Sequence, residues 1–156
     1  MSLRDEIKQH GPFKSLEEEV ALNLARTTNA LTQGFASMLQ HTELTPAQYN
    51  VLRILRGAGR GGLACGEIAA RMITKDPDVT RLLDRLEKRG LVARERDVTD
   101  RRVVLTRITS GGGALLARLD APVLDTHARL LSHLGPRKLR QLADLLEAAR
   151  SGSPGA

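Results

Sequence analysis

The chain has 156 residues, 41% hydrophobic and 27% charged, with one Cys, a formal net charge of +6 and a pI near 10.2. That length fits one domain; no apolar run reaches the roughly 18–20 residues of a membrane span, and a single Cys excludes an internal disulfide, so a membrane protein and a disulfide scaffold are set aside. The opening MSLRDEIKQHGPF lacks the apolar stretch of a secretory signal, and a reducing cytoplasm is the expected setting.

Charge is unevenly placed. Residues 1–70 hold seven Lys/Arg against seven Asp/Glu, residues 71–107 eleven against seven, and residues 108–156 six against four. The middle segment carries most of the surplus, which is the footprint of a nucleic-acid reader, although a solvated helix face gives the same count.

Ser15 and Glu18 form a capping box, and Leu16, Val20, Leu24, Leu31, Phe35 and Met38 then recur at helical spacing to about Leu39. So long a stripe in so small a chain requires a partner surface. Thr45 and Gln48, with Pro46 at the first helical position, start a second helix carrying Val51, Leu52 and Leu55, which the glycines of GAGRGG end. Those glycines read as a flexible connector rather than a phosphate cradle, since no Lys-Ser/Thr pair follows and no hydrophobic strand precedes. A short helix over 67–72 comes next. Thr74 or Asp76 then caps a fourth helix whose first turn holds Pro77, and Lys88, Arg89 and Gly90 close it.

From 91 to 108 the residues turn extended, LVARER and RVVLTRI about a polar turn, and predict a two-stranded hairpin. Two further helical stripes follow, Leu116, Leu119, Val123, Leu130 and Leu134, then Leu139, Leu142, Leu145 and Leu146. Pro122 predicts a kink near Leu119. Gly111, Gly112 and Gly113 weaken the first turn by about 0.5–1 kcal/mol each relative to Ala and suggest a hinge. The tail SGSPGA at 151–156 is expected to be disordered. The fold class is therefore mainly α with a small β-hairpin wing, a winged helix-turn-helix with long N- and C-terminal helices.

Within the fourth helix, Val79, Leu82, Leu83 and Leu86 gather on one side and leave Pro77, Thr80, Arg81, Asp84, Arg85 and Lys88 on the other. Hydroxyl, guanidinium and ammonium donors on that outer side suit phosphates and base edges. Two short helices, a two-faced helix and a basic hairpin in this order make a winged helix-turn-helix, whose third helix enters the major groove while the wing reaches the neighbouring backbone or minor groove.

LTPAQYNVLRIL, GEIAARM, DVTRLLDRLEKRGLV and DRRVVLTRITSGG together resemble the multiple-antibiotic-resistance regulator (MarR) family, in register from about Leu44 to Leu116. The resemblance implies a homodimer held by its terminal helices (15–42 and 110–150), with residues 44–109 as the DNA-binding part, bound to a pseudo-palindromic operator and usually repressing. It implies that Arg102 enters the minor groove, that Arg101 reaches groove or phosphate, that Asp100 holds the wing Arg in position, and that Pro77, Asp78, Thr80 and Arg81 lie at the groove-facing start of the recognition helix. Relatives often carry neutral or basic groups at Asp76 and Asp78. A carboxylate there is repelled by DNA unless it accepts from cytosine or caps the helix; capping is assigned to Asp76, and Asp78 stays open. The family commonly releases DNA when a small aromatic or anionic molecule enters a crevice, and His41, Tyr49 and Arg53 lie at the matching junction, where interhelix packing and a solvated surface are the alternative.

Cys65, between LA and GEIA, reads as a buried structural residue, since the peroxide-sensing branches of the family carry their Cys in the first helix, where this chain has none. His10, His41, His127 and His133 form no ligand cluster, and no nucleophile elbow, carboxylate pair or phosphate loop is present, so neither metal, cofactor nor enzyme activity is expected. Two rival functions remain, a sequence-tolerant architectural DNA binder and a winged-helix protein-interaction module.

Overall fold

A computed structural model describes residues 2–75 and 78–152. Its elements are α1 (Leu3–Glu6), α2 (Leu16–Leu39), α3 (Pro46–Ala58), β1 (Leu63–Ala64), α4 (Cys65–Arg71), α5 (Val79–Lys88), β2 (Val92–Arg96), β3 (Val104–Ile108), α6 (Ser110–Leu131) and α7 (Gly135–Ser151). The structure is mainly helical with a small antiparallel sheet.

Local capping starts the helices where the residue pattern places them. The Ser15 hydroxyl accepts from the Glu18 amide, and at α3 Thr45 and Gln48 satisfy each other's backbone donors. A further capping box, Ser2 with Asp5, makes the short α1, which the stripe analysis did not anticipate. It buries Leu3, and Glu6 reaches Arg26 at 3.4 Å on α2.

Helix α4 opens at Cys65, two residues before the expected start, because the Glu67 carboxylate accepts from the Ala64 amide at 3.0 Å. At α5 the cap is Asp78, whose Oδ1 accepts from the Arg81 amide at 3.0 Å. That corrects the expected cap at Thr74, which lies too far before Val79 to reach the first turn; Asp76 and Pro77 fall outside the described residues. Buried Asn50 pins the approach to α5 by accepting from the Ile73 amide at 2.9 Å.

The hairpin expected over 91–108 is the larger part of a three-stranded sheet of order β1-β3-β2. Val92 pairs with Ile108 and Arg96 with Val104, while Leu63 of β1 pairs with Thr106. The glycine-rich connector is not the free joint its composition suggests. Residues 59–61 form one 3₁₀ turn, Arg107 Nε donates to the Arg60 carbonyl at 2.7 Å, and Gly62, at φ +69, lies where a Cβ would meet the Thr106 oxygen at 2.8 Å. Only glycine admits that approach at that φ.

The Gly111–Gly113 run also has a packing reason. A Cβ on Gly112 would stand 2.2 Å from the Leu91 carbonyl oxygen. Around it, Thr109 Oγ1 donates to the Gly90 carbonyl at 2.6 Å and accepts from the Gly112 amide at 3.1 Å, and the Thr109 amide donates to Leu91 at 3.1 Å. The junction expected to flex is thus a close-packed knot joining the end of α5, the end of the sheet and the start of α6. Helix α6 continues through Pro122, and α7 runs to Ser151, so residue 151, expected to open a disordered tail, is helical; residues 153–156 lie outside the described residues.

The core draws Leu39 from α2, Val51, Leu52 and Leu55 from α3, Ile68 from α4, Leu83 and Leu86 from α5, Val92 from β2 and Leu116 from α6. Arg56 grips Asp120 through two hydrogen bonds of 3.0 and 2.9 Å and fastens α3 to α6. The long stripes divide. Phe35, Met38 and Leu39 enter the core, whereas Leu16, Val20, Leu24, Leu124 and Leu145 are exposed and α7 buries no residue. Among the described residues no helix is long and apolar enough to cross a membrane.

Neighbouring glycines are expected to answer the same substitution with opposite signs. Gly112→Ala should cost at least about 2 kcal/mol in urea unfolding at fixed protein concentration, because the carbonyl of Leu91 must move. Gly113→Ala, with nothing within 4 Å of the new methyl, should gain about 0.5–1 kcal/mol.

Candidate nucleic-acid interface

Helix α5 owes its orientation to its apolar side. Val79, Leu82, Leu83 and Leu86 are buried, so Thr80, Arg81, Arg85 and Lys88 face solvent along the opposite side. Asp78 serves both as cap and as partner. Besides accepting from the Arg81 amide, its second oxygen lies 3.0 Å from Arg81 Nε, and the guanidinium remains 73% exposed. The carboxylate left open by sequence reasoning is therefore used within the helix start. Asp84, placed by the helical wheel among the outward groups, is half-buried and turned toward the wing, where Arg94 Nη2 meets it at 2.6 Å.

The wing turn joins β2 to β3 and is built by two aspartates. Asp97 Oδ1 accepts from the amides of Thr99 and Asp100 at 2.6 and 2.9 Å, and the Val103 amide donates to the Asp100 carbonyl at 2.9 Å. These amide hydrogen bonds hold the Asp97 carboxyl below its ordinary range. Asp100 Oδ1 accepts from the Arg102 amide at 3.0 Å and from Arg102 Nε at 3.3 Å. Arg102 is 92% exposed, so the contact orients a guanidinium that solvent still surrounds. Arg101 is exposed beside it, and its carbonyl accepts from Arg96 Nη1 at 3.2 Å.

Arg89, Arg94 and Arg107 of the basic segment, like Arg96, spend donors inside the chain. Arg89 donates to the carbonyls of Glu43 and Thr42 at 2.8 and 2.9 Å, Arg94 bridges Asp84 and Glu87, and Arg107 pairs with Glu95 and the Arg60 carbonyl. Sequence reasoning missed these roles because each partner lies on another element. Asp97 was findable, since Asp with Thr two residues on is the pattern of an Asx turn.

The model of the MarR family matches residues 44–104, from the turn before α3 to the first residue of β3. The crystal structure of a MarR transcription factor from Planctomyces limnophilus is 41% identical, covers 88% of this chain and 99% of its own, and gives a TM-score of 0.68. The chain belongs to the MarR family. This MarR-family protein is a DNA-binding transcription regulator of winged-helix fold, from a family of regulators rather than enzymes. The HTH-type transcriptional repressor MdtR of Bacillus subtilis is 32% identical to it over 130 residues, 83% of each chain. BpsR of Bordetella bronchiseptica, whose structure describes regulation of DNA binding by 6-hydroxynicotinic acid, is 26% identical with a TM-score of 0.79, covering 92% of this chain and all of its own.

Elsewhere in the MarR-family chain, Tyr49 is buried edge-on against Phe35, centroids 5.2 Å apart, and Phe35 stacks on His127 at 5.8 Å, joining α2, α3 and α6. His41 and Arg53 lie exposed near this trio's helices, in the turn after α2 and on α3. Cys65 is half-buried rather than buried, because it opens α4 instead of sitting inside it, and its sulfur lies 3.8 Å from Thr80 Oγ1. Among the described residues no group of three or more His, Cys, Asp or Glu side chains could hold a metal ion.

A carboxyl held below its ordinary value stabilises the native turn in its ionised form, so the contribution of Asp97 is complete at neutral pH and fades as pH falls through its folded pKa. NMR titration should place the Asp97 midpoint below 3.8. Asp97→Ala should speed exchange of the Thr99 and Asp100 amides while leaving those of α5 unchanged.

Proposed function

We propose that this MarR-family chain acts in the cytoplasm as a homodimer that recognises a pseudo-palindromic operator in duplex DNA, represses transcription there, and lets go when a small aromatic or anionic molecule binds near His41, Tyr49 and Arg53. The observation that carries the reading is the placement of Arg81, Arg85 and Lys88 on α5 and of Arg101 and Arg102 on the adjoining wing, all facing solvent. Cations so arranged meet phosphates and groove edges, and their release of counterions makes the affinity fall with salt. Thr80 and Asp78 belong to the same groove-facing start of the helix, with Asp78 holding Arg81 ready; Pro77, which the family resemblance puts with them, lies outside the described residues.

Dimerisation is supported by the apolar side chains left uncovered at both ends. Leu16 is 71% exposed, Leu124 68% and Leu145 62%. A two-fold axis that brings these helices against their copies buries the same residues twice. Repression is supported by the name of the Bacillus relative, and release by a small ligand by the regulation described for BpsR.

Selection of duplexes from a random-sequence pool, followed by footprinting and sedimentation, tests the proposal. A dimer at micromolar concentration should protect two half-sites about one helical turn apart, with roughly 10³-fold preference over unrelated DNA at the same salt. A monomer, a single half-site, or equal affinity for all duplexes would overturn it.

The wing gives a second test with an informative sign. Arg101→Ala/Arg102→Ala should weaken operator binding more than about tenfold without changing dimerisation. Asp100→Ala should also weaken it, by about two- to tenfold, because the Arg102 side chain loses its orienting acceptor. Simple charge counting gives the opposite sign for the Asp100 variant, and anisotropy titration of a labelled duplex separates the two.

A further inference from the structure

Two carboxylates stand on the helix that faces the duplex, and one strand arginine takes up both. Arg94 Nη2 lies 2.6 Å from Asp84 Oδ1 and 2.5 Å from Glu87 Oε2, and Nε donates to the same Glu87 oxygen at 2.9 Å. Asp84 falls between Arg81 and Arg85, one turn after Thr80, and Glu87 precedes Lys88. The three helix cations exceed these two acids by one charge, and the Arg94 guanidinium doubles that surplus at the side of the helix next to the wing.

We propose that Arg94 is a positioning residue for DNA binding: it draws the Asp84 and Glu87 carboxylates off the duplex-facing side of α5. This rests on the reading of α5 and the wing as the DNA-facing elements. Arg94 is itself only 27% exposed and spends its donors on the two acids, so it is not built as a phosphate contact. Glu87 is held below its ordinary range chiefly by the hydrogen bond from Arg94, which keeps it ionised and drawn to the strand. The acids are 45% and 39% exposed, and ion pairs with partners that open to water add little to folding stability, so their purpose is sought in what they present or withhold. Two unpaired carboxylates beside a phosphate backbone repel it.

The test compares four chains by anisotropy on a labelled duplex that the wild type has recovered from a random-sequence pool. Arg94→Met should lose about tenfold or more in affinity, as truncating one partner of a close charge cluster does. Arg94→Met/Asp84→Asn/Glu87→Gln should return to within about threefold of wild type, because the acids that needed masking are gone. Wild-type affinity for Arg94→Met overturns the proposal. So does a triple variant as weak as Arg94→Met, since a brace that acts by packing, or a direct phosphate contact, is not restored by neutralising its partners. Arg81→Ala/Arg85→Ala is the control: if it binds normally, the reading of α5 as the DNA-facing helix fails, and not the role of Arg94 alone. Should Arg94→Met not fold by circular dichroism, Arg94→Gln takes its place with the same pair of outcomes, as a neutral side chain cannot offset the two acids.

Discussion

Burial of one side of α5 governs what the winged unit can present. Val79, Leu82, Leu83 and Leu86 lie against the preceding helices and the sheet, each worth about 1.5–3 kcal/mol when fully withdrawn from water. With those side chains committed, helical geometry leaves Thr80, Arg81, Arg85 and Lys88 nowhere but solvent. The ends are fixed separately, by Asp78 at the start and by the Gly90, Leu91, Thr109 and Gly112 knot just beyond the finish. The wing inherits its place from the same knot, because β2 leaves it and β3 returns to it.

Charge in this protein divides into cations that hold the structure and cations that it displays. The basic segment contains eleven Lys/Arg, yet Arg89, Arg94 and Arg107 are turned to carbonyls or carboxylates of the chain itself. Arg94 and Arg107 offset Asp84, Glu87 and Glu95, while Arg81, Arg85 and Lys88 on α5 and Arg101 and Arg102 on the wing are among the cations that face solvent. Net charge thus indicated the class of partner correctly while overstating how many residues address it.

What could be read from the residues depended on how local the cause was. Ser15, Thr45 and Gln48 act within one helical turn, and the apolar spacing of α5 needs only its own sequence, so these features and the winged-helix class were legible. The third strand was not, because two residues become a strand only when Gly62 lets the backbone approach Thr106. Gly112 looked like looseness until the Leu91 carbonyl occupied the space where a methyl would be. The cap of α5 was expected at Thr74 or Asp76, with Asp78 left open, and the role of Asp78 follows from where Val79 starts the helix. Arg89 and Arg94 act across elements, and no spacing rule within one segment reports such partners.

The grip of Arg89 on the carbonyls of Thr42 and Glu43 has a mechanical side. Glu43 sits at φ +54, in the tight turn where the long α2 hands over to α3. The first residue beyond α5 is therefore lashed to the turn at the heel of α2, the longest helix among the described residues, and two hydrogen bonds of fixed direction transmit tilt as well as distance. A rotation of α2 about its far end would be felt first at the closing turn of α5.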